Sequence, residues 1–212
     1  MAHASRRSQH VTRLVRAVSV MARKGGLRSV RDGLTTFLFC SQRIDHFVLD
    51  LSSGYTAPSL DPRVEIRRAT PEDLAQIRAM PEGNGSDFYR DVIDGAEPFV
   101  ALWEGHYAHI AWIYDSTMPT RFIRLQPGEA ELRYGYTCDG FRGRGLYGAT
   151  NAVMVADLAR RGYRKVYGHV VDHGTAFRLG LGLALRRIGF CQVRTMTHVR
   201  ILGVQIRPRL SL

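Results

Sequence analysis

A turn rich in glycine and arginine separates a strand-like stretch from a helix-like stretch in the second half of the chain. Residues 136–148 read Tyr-Thr-Cys-Asp-Gly-Phe-Arg-Gly-Arg-Gly-Leu-Tyr-Gly. The first N–H groups of a helix lack partners within the helix, and the helix dipole adds partial positive charge, so this turn can bind an anion. Gly143 and Gly145 would let a pyrophosphate approach the backbone, and Arg142 and Arg144 add charge.

Two common phosphate-binding motifs do not fit this turn. A Walker loop needs Gly-Lys followed by Ser or Thr, which is absent here. The spacing Gly143-x-Gly145-x-x-Gly148 suits a dinucleotide fingerprint, but residues 162–168 contain no acid at the required distance of about twenty residues. The remaining interpretations are a phosphate site of another kind and a plain strand–helix connection.

The elements around the turn alternate between strands and helices. A capping-box pattern opens a helix after Thr70, because Thr70 can cap it, Pro71 suits its first position and Asp73 can return a hydrogen bond. We predict further helices at residues 86–93, 146–161 and 175–187. We predict strands at residues 45–51, 64–68, 98–103, 106–114, 121–125, 129–137, 163–171, 191–199 and 201–206. This order indicates a mixed α/β or α+β sheet.

In this context the turn resembles the acetyl-CoA loop of GNAT-type N-acetyltransferases, whose pattern is Arg/Gln-x-x-Gly-x-Gly/Ala. The matching residues are Arg142-Gly-Arg-Gly145-Leu-Tyr147. Residues 64–74 resemble the first strand and helix of that family, and Ile188-Gly-Phe190 resembles the end of its last helix. The resemblance covers about residues 64–206. It implies a mixed, mostly antiparallel central sheet flanked by helices.

The resemblance also implies acetyl-CoA as the cosubstrate. We expect no metal site, because His169 and His173 fall on a strand and the loop after it and lack the helical face that makes such spacing a zinc pair. The residues that would hold the cosubstrate are Tyr136, Thr137, Arg142, Gly143, Arg144, Gly145, Leu146, Tyr147 and Gly148. Tyr147 departs from the family pattern, because it stands where a small residue is usual. Its ring must either point away from the pyrophosphate or close over the pantetheine. A second departure is Leu185, which replaces the tyrosine that often serves as the general acid.

For proton transfer, the strand before the turn offers Glu131. It lies eleven residues before Arg142, where some family members carry the general base. Counted along a regular strand it shares a face with Gly135 and Thr137, which predicts that it faces the cosubstrate. A solvated strand acid is the alternative, and Glu129 and Asp139 are weaker candidates. For the general acid we name Tyr147 and His173, with Tyr134 and Tyr136 as alternatives.

The charge of the chain is large and unevenly distributed. Thirty basic residues against nineteen acidic ones give a formal net charge of +11, and all the basic residues except Lys24 and Lys165 are arginines. Residues 1–63 carry ten basic and four acidic residues, which contributes +6. We therefore divide the chain into a basic N-terminal extension and linker at residues 1–63 and a GNAT-like domain at residues 64–212. The amphipathic stretches at 11–22 and 27–39 predict a helical appendage that packs on the domain, binds an anionic membrane peripherally or serves in targeting.

These features favour an enzyme that moves an acetyl group from acetyl-CoA to a primary amine. The extension followed by this fold loosely resembles acyltransferases associated with surface-polysaccharide biosynthesis, which implies an amino sugar or sugar nucleotide as the acceptor. The competing interpretation is a basic protein that binds nucleic acid or a membrane without catalysis. Three cysteines fit a reducing compartment, so we expect a cytoplasmic location, peripheral to the membrane if the extension binds one. A homodimer stays open.

Overall fold

In a computed structural model of the chain, the structure describes residues 39–80, 95–118, 122–171, 175–201 and 204–205. The chain divides into two compact units. The larger unit comprises Ile44–Met196 with Arg209–Leu212, and the smaller comprises Met1–Arg43 with Thr197–Pro208. The basic helices predicted before residue 39 and the helix predicted at 86–93 lie outside the described residues.

The larger unit is built on a mixed sheet. It contains β2 (Val64–Arg68), β3 (Glu97–Trp103), β4 (His106–Asp115), β5 (Glu129–Thr137) and β6 (Lys165–Val171), together with residues 44–50 of β1 (Phe39–Asp50) and residues 191–196 of β7 (Cys191–Ile201). Their order across the sheet is β2-β3-β4-β5-β6-β1-β7. β5 pairs in parallel with β6, whereas the pairs β2–β3, β3–β4, β4–β5 and β6–β1 are antiparallel. The predicted mixed, mostly antiparallel sheet is confirmed.

In the part of the chain that the structure describes, three helices flank this sheet: α1 (Pro71–Ala79), α2 (Leu146–Arg160) and α3 (Thr175–Arg187). One apolar cluster joins Met154 of α2 and Leu185 of α3 to Leu132 of β5. A second cluster joins Ile77 of α1 to Trp112 and other residues of β3 and β4. Because neighbouring strand residues point to opposite faces, α2 and α3 cover one face of the sheet and α1 covers the other.

The hairpin between β3 and β4 forms where the sequence predicts it. Glu104 and Gly105 have φ angles of 49° and 80°. Two central residues with positive φ match the right-handed twist of the flanking strands, which favours a tight two-residue turn. This hairpin brings β4 beside β5, the strand that leads into the glycine-rich turn.

Several boundaries differ from the sequence predictions. The described part of the segment predicted as a strand at 121–125 forms a single bridge at Ile123. Ile201 belongs to β7, and the final strand β8 is only Val204–Gln205, which pairs with Arg200 and Ile201 in the smaller unit.

The N-terminal boundary at residue 63 also differs from the structure. β1 pairs with β6 from Ile44 to Asp50, inside the sheet of the larger unit. Ile44 and Phe47 are 0% and 1% exposed, so this segment is part of the core. Residues 44–50 therefore belong to the unit that contains the glycine-rich turn.

Gly180 and Gly182 lie within α3 and do not interrupt it, since the helix runs without a break from Thr175 to Arg187. A Cβ added to Gly182 would lie 3.3 Å from Cζ of Phe47. The absent side chain thus lets the helix lie close to β1. Gly189, with a φ of +98°, follows the helix as predicted.

The predicted capping box of α1 is present and is tied to the sheet. The Thr70 hydroxyl accepts a hydrogen bond from the Asp73 amide at 3.2 Å, and the Asp73 carboxylate accepts one from the Thr70 amide at 2.7 Å. Asp73 also pairs with both terminal nitrogens of Arg67 on β2 and accepts the Tyr107 hydroxyl from β4. The Arg67 guanidinium, the Thr70 amide and Tyr107 hold the pKa of this buried carboxyl well below its usual range.

Replacement of Asp73 by Ala should lower the free energy of unfolding at pH 7 by about 2–4 kcal/mol, since it removes a cap and a charged hydrogen-bond network. The folded-state pKa of Asp73 is depressed, so its contribution is full above the unfolded pKa of about 4 and is lost as the pH falls through the folded value. Urea unfolding at pH 7, 4 and 2 should therefore show the difference between wild type and Asp73→Ala shrinking below pH 4. Glu72→Ala, an exposed acid in the same turn, is the control and should cost under about 1 kcal/mol.

Candidate functional site

The turn after β5 has the backbone that an anion site requires. A short 3-10 segment (Asp139–Phe141) is followed by Gly143 and Gly145, with φ angles of 78° and 76°, and α2 begins at Leu146. A Cβ built on either glycine would meet no atom within 4 Å, so the backbone is open on that side. No side chain caps α2. Its first amides, including those of Leu146, Tyr147 and Gly148, can therefore bind an anion.

Apolar packing holds this turn in place. Leu146 lies in a buried cluster with Ala101, Trp103 and Ala108, and Phe141 packs against it. The Cys138 amide donates to the Ala108 carbonyl at 2.9 Å. Gly148 lies beneath α3, because a Cβ there would be 3.8 Å from that of Ala184. The predicted binding residues 142–148 are thus brought together at one end of β5.

The two arginines of the turn have different surroundings. Arg142 forms an exposed ion pair with Asp139 at 2.6 Å. The Arg144 guanidinium lies 4.6 Å from the ring centroid of Trp103 and 5.4 Å from that of Phe141. Arg142 therefore meets a carboxylate that an anionic ligand would have to displace, whereas Arg144 is steadied by aromatic rings that leave its charge available.

Replacement of Asp139 by Asn should tighten the binding of acetyl-CoA about two- to fivefold, because an exposed pair is worth only about 0.2–1 kcal/mol and its carboxylate opposes the pyrophosphate. Titration calorimetry at low and high salt measures the change, which should shrink at high salt. Asp50→Asn removes the same charge beside Lys165 and should leave affinity unchanged. Equal or weaker binding by Asp139→Asn would show that Asp139 does not compete.

A bulge in β5 overturns the predicted orientation of Glu131. Trp112 pairs with Arg133 and Ile110 with Tyr136, so β5 carries one residue more than β4 across this stretch. Tyr134 takes a φ of 54°, a rare conformation for a side-chain-bearing residue. The extra residue reverses the alternation. Glu131 consequently shares a face with Tyr136, opposite to α2, and not with Thr137.

On that face Glu131 is 0% exposed and lies among charged neighbours. Its Oε1 is 3.3 Å from Nε of Arg133 and 3.3 Å from Nε2 of His169. Arg133 is itself stacked, with its guanidinium 4.6 Å from the Tyr114 ring and 4.8 Å from the Tyr134 ring. The alternative of a solvated strand acid is therefore wrong, because Glu131 is a buried carboxylate with two basic partners.

Sequence reasoning did not join His46 and His169 to this carboxylate. His46 of β1 is the register partner of His169 of β6, and their Nδ1 atoms are 2.9 Å apart. The signal in the sequence was weak, since the three residues lie on strands far apart in the chain. The buried, parallel pairing of β5 with β6 is what brings His169 to Glu131.

Tyr147 points away from the turn and into the interface between α2 and the sheet. A Cβ on Gly135 would lie 3.0 Å from its ring, and the His109 ring lies 6.1 Å away, edge to face. Burial raises the pKa of Tyr147 to about 12, although a hydrogen bond with Asn151 works against this rise. Of the two orientations that the sequence left open, the structure has the ring turned away from the pyrophosphate side.

The other predicted binding residues of β5 face different surroundings. The Thr137 hydroxyl is 2.7 Å from Nδ1 of His109, a ring whose burial lowers its pKa to about 3. Tyr136 packs on the opposite face with the cluster around Trp112. Side chains of neighbouring residues thus diverge, and what Tyr136 and Thr137 share is their backbone at the end of β5.

The remaining candidates are quickly placed. His173 lies outside the described residues. Leu185 is fully buried in the core, and Cys138 is a partly buried free thiol, as predicted. Among the described residues, no group of three or more His, Cys, Asp or Glu side chains is placed to hold a metal ion.

The parallel ladder between β5 and β6 ends early. The pairing runs from Glu129–Lys165 to Leu132–Gly168, although β5 continues to Thr137 and β6 to Val171. The parallel ladder thus stops five residues before the end of β5, and this last part of β5 leads directly to the glycine-rich turn. An extended ligand that binds the turn could lie along this part of β5.

Comparisons with proteins of known structure define the class of fold. The chain resembles a GCN5-related glucosamine N-acetyltransferase region of a fungal multi-domain β-N-acetylglucosaminidase, at 15% identity and a TM-score of 0.57, over 80% of this chain and 22% of that one. It also resembles GCN5-related N-acetyltransferases from Kribbella flavida (14% identity, TM-score 0.52, 82% of this chain, 63% of that one) and Sphaerobacter thermophilus (16%, 0.51, 89%, 59%).

This chain has the fold that GNAT-family N-acetyltransferases share, and the suspected resemblance to that family is confirmed at the level of fold. It spans about three fifths of the length of the two bacterial structures. No protein-family model and no curated protein matches the chain. Within the described residues, the helices are too short or too polar to cross a membrane.

Proposed function

We propose that the chain is an N-acetyltransferase that transfers an acetyl group from acetyl-CoA to a primary amine. The observation that carries this proposal is the turn at Gly143 and Gly145, which joins a bulged strand to an uncapped, buried helix within a GNAT fold. That combination offers backbone N–H groups and two arginines to a pyrophosphate. It also offers the pantetheine the end of β5, which extends beyond the parallel ladder with β6.

The residues of the turn fit a pyrophosphate. The side of Gly143 and Gly145 that a Cβ would fill is open, so phosphate oxygens can reach the amides of residues 143–148. Arg142 and Arg144 would neutralise the charge. The backbone near Tyr136 and Thr137 would hold the pantetheine and acetyl group.

Bound acetyl-CoA would supply a thioester whose C–S bond breaks as the amine nitrogen bonds to the acetyl carbon, giving an N-acetyl amine and the CoA thiol. Glu131 would take the proton that the attacking amine loses. Arg133 and His169 hold its carboxylate in a buried position. For the proton of the leaving thiolate we propose Tyr147, whose ring packs against β5 at Gly135 and whose hydroxyl keeps its proton at neutral pH because burial raises its pKa. His173 is the second candidate for this donor.

For the acceptor we propose an amino sugar, free or linked to a nucleotide. The fungal neighbour is described as a glucosamine N-acetyltransferase region, and a net charge of +11 favours an anionic acceptor over a polyamine. We place such an enzyme in the cytoplasm, with the basic residues before 39 as a candidate peripheral membrane contact. A homodimer remains a hypothesis.

The direct test is ligand-dependent stabilisation followed by turnover. Acetyl-CoA at 100 times its dissociation constant should stabilise the protein by about 2.7 kcal/mol, which raises the melting temperature by about 5–10 °C at this size. A panel of amines, including glucosamine, a sugar nucleotide and spermidine, is then screened by release of free thiol. If millimolar acetyl-CoA does not raise the melting temperature and the protein instead binds single-stranded DNA in a salt-sensitive way, the enzyme proposal is overturned in favour of a nucleic-acid-binding protein.

The structure gives no independent support to that binder. Its candidate platform would interleave Arg133, Arg142 and Arg144 with nearby aromatic residues. The Arg133 side chain is only 8% exposed and stacks between two tyrosines. Tyr147 packs against the sheet at Gly135. These side chains do not form one exposed stacking surface.

A further inference from the structure

Three buried side chains on neighbouring strands lie in a row: His46 on β1, His169 on β6 and Glu131 on β5. His46 and Glu131 are 0% exposed, and the side chain of His169 is 3% exposed. The Nδ1 atoms of the histidines are 2.9 Å apart, and Nε2 of His169 is 3.3 Å from Oε1 of Glu131. The Phe122 ring contacts both imidazoles edge to face, at centroid distances of 6.3 and 5.4 Å.

The short contact between the two Nδ1 atoms restricts where protons can lie. When both rings are neutral, one Nδ1 must carry a proton and the other must accept it. The negative charge of an ionised Glu131 favours a proton on Nε2 of His169, 3.3 Å from Oε1, and a neutral His169 then has a bare Nδ1. His46 must therefore donate from its own Nδ1. An ionised Glu131 thus selects one tautomer of each ring.

We propose that His46 is a positioning residue that acts through His169 to hold the Glu131 carboxylate in its ionised, proton-accepting form. This inference rests on the proposed function, in which Glu131 is the base. His46 would fix the tautomer of His169, and His169 would in turn orient the Glu131 carboxylate, as orienting groups behind a catalytic base do. His46 itself touches neither substrate nor cosubstrate.

Among the described residues, few other titratable or charged groups face this line. Arg133 contacts the same oxygen of Glu131 as His169 does, and Tyr134 stacks on Arg133. The register partners of Glu131 are Tyr114 of β4 and Tyr167 of β6. The Tyr167 hydroxyl is committed to Glu129 at 3.2 Å. Arg133 supplies a fixed charge, so the histidine pair is the part of this cluster whose protons can be arranged in more than one way.

A matched pair of variants separates positioning from packing. His46→Asn keeps an amide donor at the place of Nδ1, whereas His46→Leu keeps bulk and removes the donor. We expect His46→Leu to lower kcat about 10- to 100-fold, with less than a twofold change in the KM for acetyl-CoA. The acid limb of its kcat/KM profile should move to higher pH, since a donor to the ionised carboxylate is weakened. His46→Asn should restore both values to within about threefold. If the two variants fold and behave alike, the proposal is overturned.

A second arm tests whether the effect passes through His169. His169→Gln places an amide donor toward Glu131 that needs no tautomer partner, so adding His46→Leu to it should cost nothing further in kcat. Full additivity of the two changes would show that His46 does not act through His169.

Nitrogen-15 NMR of the wild-type imidazoles shows which ring nitrogens of His46 and His169 carry protons. This measurement needs neither an activity assay nor a variant. At pH 7 His169 should be protonated at Nε2 alone and His46 at Nδ1. The reverse tautomers would overturn the proposal. If the wild-type chain binds no acetyl-CoA, or releases no thiol with any amine, the proposed function is overturned, and His46 then has no catalytic role. The NMR measurement of the tautomers does not depend on that outcome.

Discussion

Replacement of Glu131 by Gln should lower kcat about 100- to 10,000-fold and leave the affinity for acetyl-CoA within about twofold of wild type. The amide has the size of the carboxylate but cannot take a proton from the amine, and this range is typical for loss of a positioned general base. The buried site strengthens the expectation, because Glu131 is 0% exposed and solvent cannot easily replace it. Steady-state thiol release gives kcat, and calorimetry gives the affinity.

Stability must be followed in the same experiment. Glu131→Gln leaves the Arg133 charge without its ion-pair partner, which can cost about 3–5 kcal/mol in a buried pair. The acetyl-CoA-dependent shift in melting temperature shows whether the variant is folded under the assay conditions. A variant that is folded and binds acetyl-CoA but keeps wild-type turnover would remove Glu131 from the role of base.

Glu129→Gln is the matched comparison for this prediction. Glu129 lies two residues earlier on the same face and is 8% exposed. Its two oxygens accept the Tyr167 hydroxyl at 3.2 Å and the Gln126 amide at 2.9 Å, so it is engaged in structure. We expect turnover within about threefold of wild type. The opposite result, with Glu129→Gln inactive and Glu131→Gln active, would transfer the role of base to Glu129.

Replacement of Arg142 by Glu should abolish the stabilisation of the protein by acetyl-CoA. The substitution changes the charge beside the pyrophosphate from +1 to −1. At about 5 Å and an effective dielectric constant near 20, each unit of this change weakens the attraction to one phosphate charge by about 3 kcal/mol before screening by salt. Even a tenth of that sum weakens binding severalfold, and we expect a loss on the order of 100-fold. The measurement is the acetyl-CoA-dependent melting temperature at several salt concentrations.

Arg142→Gln is the control, because glutamine occupies this position in part of the family pattern and still donates hydrogen bonds. It should keep most of the acetyl-CoA-dependent shift. Since Arg142 is 61% exposed, neither substitution should disturb the fold without ligand. Equal shifts for wild type, Arg142→Gln and Arg142→Glu would show that the turn does not bind the pyrophosphate.

Local signals in the sequence predicted the parts of the fold that depend on neighbouring residues. The capping box at Thr70 and Asp73, the turn at Glu104 and Gly105 and the two glycines before α2 are all local devices, and each is present. Their geometry is decided within about four residues, where propensity and hydrogen bonding act directly. The same signals predicted the mixed sheet and the place of the glycine-rich turn.

The orientation of Glu131 could not be predicted in this way. Counting alternate residues from Glu131 to Thr137 assumes a regular strand, and the extra residue near Tyr134 breaks that assumption. Gly135 is a weak signal, since an isolated glycine within a strand often marks a bulge, but the positive φ falls on Tyr134, a residue type that rarely takes it. The bulge is imposed by the pairing of β5 with β4.

By itself, therefore, the sequence determined most of the described elements and their order, and where a phosphate-bearing ligand could meet the backbone. Only the tertiary structure decided that β1 lies beside β6, that the parallel ladder ends at Leu132, and that His46, His169 and Arg133 gather around Glu131. Strand register is set by burial over the whole sheet, and a shift of one residue moves every side chain to the other face. Residues as distant as 46, 131 and 169 can be brought to one carboxylate only after that global choice has been made.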